Sequence, residues 1–259
     1  MTNMTIIIPL IEYRDEHKYF LERMWESILS TEVTDIIFVG PTSAINEMKT
    51  LVTENDLDVL YIENNKNTEL QFQLNKAVKD VKTEYFSVLE FDDAYTSFWF
   101  NNVRKYIECQ PDTSVFLPLV EVFDYEHLDM GAISYANEPV WASFFSDEIG
   151  TIDFQSLQNF FNFIISGGVF KKSDFINVGG VKNNIKVFFW YELLLRMTHN
   201  DKKIFVIPKI GCEHMINRAD SLTAQFTAMS QEEIDFWFNT AKEEYLYKTD
   251  RKKSFVSES

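Results

Sequence analysis

The sequence predicts an α/β protein of one domain, built on a mixed, mainly parallel sheet flanked by helices. Through the first half of the chain, short apolar runs alternate with stretches of helical periodicity, a pattern typical of β-α-β units. The chain has 259 residues, enough for one large domain, and its 24 Phe, 11 Tyr and 5 Trp can fill a sizeable core. No repeat, low-complexity tract or linker divides it.

Four strands and three helices are predicted in the first half, in alternation. The strands cover residues 5–8, 35–39, 58–62 and 85–89, and Pro9 ends the first of them. The helices cover residues 17–30, 43–55 and 68–81, each with apolar residues three or four positions apart. Ser43 is the predicted N-cap of the second helix.

The second half of the chain is less regular. Helices are predicted over residues 102–109 and 192–199, and Ser230 is expected to open a last helix with Glu233 as its capping-box partner. Strands are predicted over residues 114–123 and 203–207. Between them, residues 124–155 mix polar and aromatic side chains, which indicates loops or antiparallel strands.

Charge and composition exclude several classes of function. The net charge is 24 − 40 = −16, which argues against a nucleic-acid or anionic-membrane partner, because both require a basic surface. The N-terminus has no basic region of the kind found in signal peptides, and no apolar run approaches the ~20 residues of a membrane span. We therefore expect a soluble, cytoplasmic protein. Cys109 and Cys212 have no metal or disulfide spacing and are expected to be buried free thiols.

Three acids, Glu90, Asp92 and Asp93, directly follow the fourth predicted strand. Carboxylates that end a buried strand are costly to desolvate unless a cation or donor compensates them. On an extended strand Glu90 and Asp92 would face the same side, where they could share Mg²⁺ or Mn²⁺ and, through it, a diphosphate. The alternative is a solvated turn in which Asp92 or Asp93 caps the next helix. The motif alone leaves both open.

Several segments resemble, in order, the family-2 glycosyltransferases of the GT-A fold. The opening TIIIPLIEY resembles the first strand and nucleotide-contacting loop of that family, and LNKAVKDVKTEYFSVLEFDD, residues 74–93, resembles the helix, turn and strand that end in its acidic metal motif. SGGVFKKSDFINVGGV, residues 166–181, and FFWYELLLRM, residues 188–197, resemble the acceptor-side segment and its helix. INRADSLT, residues 216–223, resembles the closing segment. Together these pieces span most of residues 4–223.

The resemblance implies a Rossmann-like GT-A domain over residues 1–248. Its nucleotide-binding half would cover about residues 1–100 and its acceptor half about 101–225, followed by a helix at about 230–247 and a flexible tail at 249–259. The implied reaction is an inverting transfer of a sugar from a nucleotide-diphosphate donor to a hydroxyl group of a glycan or other acceptor. The implied cofactor is Mn²⁺ or Mg²⁺.

The same resemblance suggests site residues. Asp92, Asp93 and His214 would bind the metal, although His214 could instead be a partly buried, hydrogen-bonded histidine. The nucleotide donor would be bound by another group of residues, Pro9, Glu12, Asn75, Glu90 and Arg218. Among these Arg218 matches the basic residue that steadies the departing diphosphate. Trp190 and Trp141 lie in segments that could line an acceptor groove.

The sequence also departs from the family. Gly40-Pro41 stands where the family usually has two acids, and Leu74 instead of Arg precedes Asn75. Phe189-Trp190 replaces the Glu-Asp pair that supplies the catalytic base. Glu192 is the nearest carboxylate that could act as base, but it could equally pair with Arg196 one helical turn away.

These departures motivate a second hypothesis, a non-catalytic GT-A domain that binds a sugar or nucleotide or serves as an interaction module. Nucleotidyl transfer is less consistent with the sequence, because residues 9–18 contain no glycine where such enzymes need a Gly-rich loop. A phosphatase with an Asp-x-Asp-x-Thr nucleophile is excluded by the spacing of Asp92-Asp93-Ala94.

Overall fold

The structure is a computed structural model that describes residues 3–53 and 57–256, so the predicted helix end at Asn55 lies outside the described residues. A ten-stranded sheet lies at its centre in the order β3-β2-β1-β4-β9-β6-β10-β5, with β7 beside β6 and β8 beside β10. The strands are β1 Met4–Pro9, β2 Asp35–Gly40, β3 Asp58–Glu63, β4 Tyr85–Val88, β5 Ala94–Tyr95, β6 Thr113–Asp124, β7 Ala132–Ala136, β8 Thr151–Ile152, β9 Val169–Lys171 and β10 Lys203–Ile216. This confirms the predicted α/β class with a mainly parallel sheet.

Helices cover both faces of the sheet. They are α1 Lys18–Leu29, α2 Thr42–Leu51, α3 Leu70–Ala77, α4 Trp99–Cys109, α5 Phe154–Leu157, α6 Lys172–Asn177, α7 Phe189–His199, α8 Leu222–Thr227 and α9 Gln231–Val256. Short 3-10 helices lie at Asp15–His17, Val78–Asp80, Tyr125–Met130 and Glu138–Trp141. Among the described helices, none combines the length and apolarity that crossing a bilayer requires.

The core consists of two apolar layers, one on each face of the sheet. Successive side chains of a strand point to opposite faces, and in β1 Ile6 and Ile8 enter one layer while Ile7 enters the other. The first layer packs against α1, α2 and α4, and the second against α3, α6 and α7. Because both faces are covered, the inner strands β1 and β4 are buried along their whole length instead of alternating.

Parallel pairing places several strand ends together. β1 pairs in parallel with both β2 and β4, so the segments after Pro9 and after Val88 leave the same edge of the sheet. β10 runs parallel to β6, and its residue Glu213 pairs with Ala94 just beyond the acidic segment. The last residues of β10 therefore lie beside the acids that follow β4, which sets the position of the candidate site.

Some predicted boundaries were wrong. Ser43 does not cap α2, because Pro41 occupies the N-cap position and Ser43 lies inside the first turn. The helix predicted over residues 68–81 is shorter, since α3 ends at Ala77 and tightens into a 3-10 turn. At the C-terminus α9 runs to Val256, through most of the segment predicted to be a tail, because residues 231–256 contain no Gly or Pro.

The largest difference concerns β10, which is almost three times as long as the strand predicted over residues 203–207. Pro208 and Gly211 interrupt the segment, but register shifts at this point let pairing with β6 resume. Gly211 is required there, because a Cβ would lie 2.3 Å from Trp99 Cε3 and 2.8 Å from Pro118 Cβ. The segment of residues 124–155 contains β7 and β8, both antiparallel to their neighbours, in agreement with its prediction.

Candidate functional site

A cavity of about 600 Å³ opens at the edge of the sheet where β1 and β4 end. Its walls come from the segment after β1, the start of α3, the acidic turn after β4, the loop before α7, the segment after β10 and helix α9. The lining includes Pro9, Leu10, Ile11, Glu12, Thr68, Gln73, Glu90, Phe91, Asp92, Asn183, Asn184, Lys186, Arg218, Asp220 and Trp237. This volume is in the range of small-molecule sites, which in α/β proteins lie outside the carboxyl ends of strands.

Asp92 and Arg218 form the charged wall of this cavity. The Asp92 side chain is buried, and its Oδ2 accepts a hydrogen bond of 3.0 Å from Arg218 Nε. Asp92 Oδ1 is also buried but has no hydrogen-bond partner among the described residues. The Arg218 guanidinium lies 4.5 Å above the centre of the Phe91 ring, a cation–π contact that holds it flat against the turn.

Asp93 faces the opposite way from Asp92 and is completely buried. Both of its carboxylate oxygens lie 3.0 Å from His214 Nδ1, and Oδ1 also accepts a hydrogen bond from the Met215 backbone N–H. Burial alone lowers the pKa of His214, but Asp93, together with Glu90 and Asp92, raises it to about 9. Asp93 therefore joins the acidic turn to β10 and neutralises a protonated histidine.

Glu90 begins the acidic turn and is partly exposed to the cavity. Its backbone N–H donates to Ser166 Oγ, and its carbonyl accepts from the Asp93 N–H, which closes the turn. Burial of the carboxyl group, followed by the charges of Asp93 and Asp92, raises the pKa of Glu90 to about 8. Burial and the two neighbouring carboxylates thus both favour the protonated form of this carboxyl group.

The donor set of this turn fits a divalent cation at Asp92 and Glu90. Hard cations such as Mg²⁺ and Mn²⁺ take carboxylate oxygens, and the Asp92 Oδ1 atom is a buried oxygen that no hydrogen bond from a described residue satisfies. Asp93 does not fit as a direct ligand, since its oxygens already accept from His214 and Met215. His214 does not line the cavity in this structure, and its bond to Asp93 agrees with the predicted alternative of a hydrogen-bonded histidine.

Pro9 and Glu12 line the cavity, as predicted for the segment after β1. Glu12 Oε1 accepts a hydrogen bond of 2.6 Å from Ser43 Oγ, which ties this segment to α2. Gly40, where the family has an acid, lies so close to the same segment that a Cβ would be 2.8 Å from the Leu10 carbonyl oxygen. Packing against the backbone of this segment therefore explains the glycine.

Asn75 lies elsewhere. Its amide nitrogen donates to the Val181 carbonyl and its oxygen accepts from the Val181 N–H, so it joins α3 to the loop before α7. Gly180 is required beside it, because this residue has φ +67° and a Cβ would lie 2.4 Å from Asn75 Oδ1. Asn75, a predicted donor-binding residue, is not among the residues that line the cavity.

Glu192 is also remote from the cavity lining. Its carboxylate is completely buried and accepts two hydrogen bonds from Arg196, at 3.0 Å from Nε and 2.7 Å from Nη2. Lys182 Nζ lies 3.4 Å away on the other side. The structure thus contains the helical salt bridge that the sequence left as the alternative, and a carboxylate bound this way cannot reach an acceptor hydroxyl without breaking it.

Several residues that line the first cavity were not predicted from the sequence. Gln73 Nε2 donates to the Leu10 carbonyl at 2.6 Å, while Gln73 Oε1 is buried without a hydrogen-bond partner among the described residues. Asp220 contacts Arg218, and Trp237 reaches the cavity from α9. The only signal in the sequence was the position of Asp220 two residues after Arg218 in the closing segment.

A second cavity of about 550 Å³ lies at the start of α7. Its lining consists of Phe161, Asn162, Phe163, Val187, Phe188, Phe189, Trp190, Tyr191 and Phe226. Trp190 therefore lines a cavity, whereas Trp141 packs against Phe205 and is in the lining of neither cavity. Phe188 has φ +62°, an uncommon conformation for a bulky residue, and this turn directs the aromatic side chains at the start of α7.

No protein-family model matches the sequence, and no curated protein matches it at the sequence level. The fold nevertheless matches solved structures. TarS 1–349 from S. aureus in complex with UDP-GlcNAc superposes with a TM-score of 0.64 and 11% identity, covering 86% of this chain and 61% of that chain. TarS 1–349 without a named ligand gives a TM-score of 0.61, also at 11% identity, with coverages of 83% and 60%.

The mannosyltransferase PcManGT from Pyrobaculum calidifontis, in complex with GDP-Man and Mn²⁺, is similar to the same extent. Its TM-score is 0.61 at 11% identity, over 84% of this chain and 58% of that chain. This chain thus spans about three fifths of the length of these proteins. The fold is the GT-A type found in these glycosyltransferases, as the sequence resemblance implied.

Proposed function

We propose that the protein transfers a sugar from a nucleoside-diphosphate donor to a hydroxyl group of a glycan or other acceptor, with inversion at the anomeric carbon. One observation carries this proposal: the buried, half-paired carboxylate of Asp92 lies beside Arg218 on a cavity of nucleotide size at the ends of β1 and β4. The resemblance to TarS and PcManGT, which are bound to UDP-GlcNAc and to GDP-Man with Mn²⁺, supports the choice of donor.

The diphosphate of the donor would lie between the acidic turn and Arg218. Arg218 uses Nε on Asp92 and Nη1 on Asp220, which leaves Nη2 without a hydrogen bond to any other described residue. A guanidinium that is held on two sides presents its remaining N–H groups in a fixed direction, which suits a phosphate oxygen. This residue would stabilise the negative charge that develops on the leaving diphosphate.

Asp92 and Glu90 would hold the divalent cation, Mn²⁺ or Mg²⁺. When bound, such an ion neutralises the diphosphate and makes it a better leaving group. The surrounding residues would hold the acidic turn in place for this ion. Arg23 donates to the Asp92 carbonyl at 3.0 Å, and the Met215 backbone N–H donates to Asp93. Asp93 and His214 would then support the site and would not ligate directly.

The nucleoside would occupy the part of the cavity formed by Pro9, Glu12 and Gln73. The Gln73 amide oxygen has no partner among the described residues, so it offers an acceptor for a base or ribose donor. The acceptor would approach from the aromatic cavity at the start of α7. Sugar rings stack on aromatic side chains through their C–H faces, and the aromatic lining would bind an acceptor sugar in this way.

A specific observation also favours the second candidate, a GT-A domain that binds donor or sugar without turnover. Phe189 and Trp190 stand where the family supplies its base, and Glu192 is committed to Arg196 in the interior. Without a general base, transfer would lose the 10²–10⁴-fold that such a group typically contributes.

Turnover assays separate the two candidates. The protein is incubated with a panel of UDP- and GDP-sugars, with Mn²⁺ or with EDTA, and released nucleoside diphosphate is measured. The proposal predicts release from at least one donor, and loss of that release with EDTA. Binding of donors without turnover would establish the non-catalytic candidate. Neither binding nor turnover with any donor would overturn the assignment.

A further inference from the structure

The contacts behind Arg218 form a chain that ends in the protein interior. Asp220, on the same segment, contacts Arg218 Nη1 through Oδ1. Its other oxygen, Oδ2, lies 2.8 Å from His17 Nε2. His17 is 1% exposed, and its ring packs 5.3 Å from the ring of Phe91, the residue on which the arginine rests.

The donor and acceptor roles of the His17 ring nitrogens follow from its second contact. The Arg14 backbone N–H donates to His17 Nδ1 at 3.2 Å, so Nδ1 is the acceptor and the hydrogen of the neutral ring is on Nε2. Nε2 therefore donates to Asp220. This bond links the 3-10 turn after β1 to the segment after β10, across 203 residues of sequence. Glu12, shortly before this turn, and Asp220 both line the donor cavity.

Two carboxylates thus hold one guanidinium, and they are not equivalent. Asp92 is also the acid with an open oxygen for a divalent cation, and a carboxylate that serves a cation has a weaker hold on a neighbouring arginine. Asp220 has no such second role, and His17 keeps it in place from behind. Arg14 Nη1, 3.5 Å from Asp220 Oδ2, belongs to a side chain that is 58% exposed, so it adds little.

We propose that Asp220 and His17 are positioning residues that hold the Arg218 guanidinium towards the diphosphate of the donor; this rests on the proposed function. Asp220 acts through Arg218, and His17 acts through Asp220. The ligand that reports on them is a nucleoside diphosphate, because its phosphates are the part of the donor that an arginine recognises.

A different use of these residues is metal binding. Among the described residues, three potential metal ligands lie close together, namely Glu16, His17 and Asp220. A metal there is disfavoured, because both His17 nitrogens already have partners and Arg14 and Arg218 contact Asp220. A cation would be placed beside two guanidinium groups. The contacts therefore indicate an arginine support instead of a metal site.

A double-mutant cycle tests the proposal. UDP and GDP are titrated in EDTA, where binding depends on the arginine and not on a metal, into wild type, Asp220→Asn, Arg218→Ala and the double variant. We expect each single variant to weaken binding about tenfold and the double variant to be no weaker than Arg218→Ala, because Asp220 has nothing left to position. Asp112→Asn, an exposed aspartate on a turn, is the control and should bind like wild type.

His17 provides the second arm, with rescue by a conservative variant. His17→Gln keeps a donor near the position of Nε2 and should bind within about threefold of wild type, whereas His17→Leu should match Asp220→Asn. Thermal unfolding of each variant shows that it is folded.

Either of two results would overturn the proposal while leaving the donor site intact: unchanged binding by Asp220→Asn, or effects of Asp220→Asn and Arg218→Ala that multiply in the double variant. If His17→Gln lost as much binding as His17→Leu, His17 would not be a positioning residue. If wild type bound neither UDP nor GDP, with or without Mn²⁺, the proposed function itself would fail.

Discussion

Three neighbouring acids in this protein differ in what their oxygens contact. Both oxygens of Asp93 contact β10, and Glu90 lines the cavity. Asp92 has one oxygen bonded to Arg218 and one that is buried without a hydrogen bond from the described part of the chain. The sequence predicted this acidic cluster as the centre of the site. It could not separate the three roles, because the partners lie 121 residues away for His214 and 126 for Arg218.

At the same scale, the buried pair of Glu192 and Arg196 predicts a structural role. Glu192→Gln would leave Arg196 and Lys182 without their carboxylate in the interior, and breaking a buried ion pair costs about 3–5 kcal/mol. Urea unfolding should show a loss of that size in the free energy of unfolding. Glu22→Gln, at an exposed helical pair with Lys18, is the control and should change it by less than about 0.5 kcal/mol. Unchanged stability of Glu192→Gln, with lost turnover, would restore Glu192 as a candidate base.

The two cysteines differ in accessibility, which corrects the prediction that both are buried. Cys109 is exposed at the end of α4, whereas Cys212 is buried in β10, where burial and then the charge of Asp93 raise the pKa of its thiol. Ellman's reagent should therefore react rapidly with one thiol in the native protein and with two after denaturation. The Cys109→Ser variant should show no rapid reaction. Two rapidly reacting thiols in the native protein would contradict the burial of Cys212.

At the scale of elements, helix N-termini differ in how they are capped. Asp153 caps α5 with a hydrogen bond of 2.6 Å from the Ser156 N–H, and Ser156 Oγ completes the capping box. Ser43, the predicted cap of α2, instead donates to Glu12. Asp153→Ala should lower the free energy of unfolding by about 1 kcal/mol, and Ser43→Ala by less than about 0.5 kcal/mol. Equal losses in denaturant titrations would contradict these assignments.

The attachment of α6 to the sheet should depend on pH. Asp174 accepts from Ser114 Oγ on β6 and from Lys202 Nζ, at 2.8 and 2.7 Å. Burial raises the pKa of Asp174, but these two partners outweigh it and lower the pKa below its usual value. The stabilisation is therefore complete above the unfolded-state pKa of about 3.9 and is lost as the pH falls through the lower folded-state value.

Comparison of wild type with Asp174→Asn tests this dependence. At neutral pH the variant should be less stable by about 1 kcal/mol, and the difference should shrink as the pH falls below the unfolded-state pKa of about 3.9 and then through the lower folded-state pKa. Stability is measured by urea unfolding across this range of pH. A difference that stayed constant into acid would show that the charge of Asp174 contributes nothing.

The elements of the first half were predictable, since β1 to β4 each satisfy a local rule of apolar runs and turn residues. β10 was not, because Pro208 and Gly211 end a strand by local rules and only pairing with β6 carries it further. This wrong strand end also affected the prediction of the candidate site. With β10 ended at residue 207, only the family resemblance placed His214 near Asp93, and the direct hydrogen bond between them was not predicted.

At the scale of the whole molecule, the sheet brings together segments that are distant in sequence. Parallel pairing of β1 with β4 and of β6 with β10 gathers the turn after β1, the acidic turn and the segment that carries Arg218 around one cavity. The same GT-A fold at 11% identity in TarS and PcManGT indicates that the fold tolerates near-complete change of sequence. Order and spacing of motifs therefore predicted the fold and five lining residues, Pro9, Glu12, Glu90, Asp92 and Arg218.

The central claim is that the cavity binds a nucleoside diphosphate with a divalent cation at Asp92. Calorimetric titration of UDP and GDP, with and without Mn²⁺, tests it most directly in wild type, Asp92→Asn and the control Asp112→Asn. We predict that Mn²⁺ strengthens binding of UDP or GDP at least tenfold, about 1.4 kcal/mol, in wild type and the control but not in Asp92→Asn. Equal strengthening in Asp92→Asn, or no binding of either nucleotide by wild type, would contradict it.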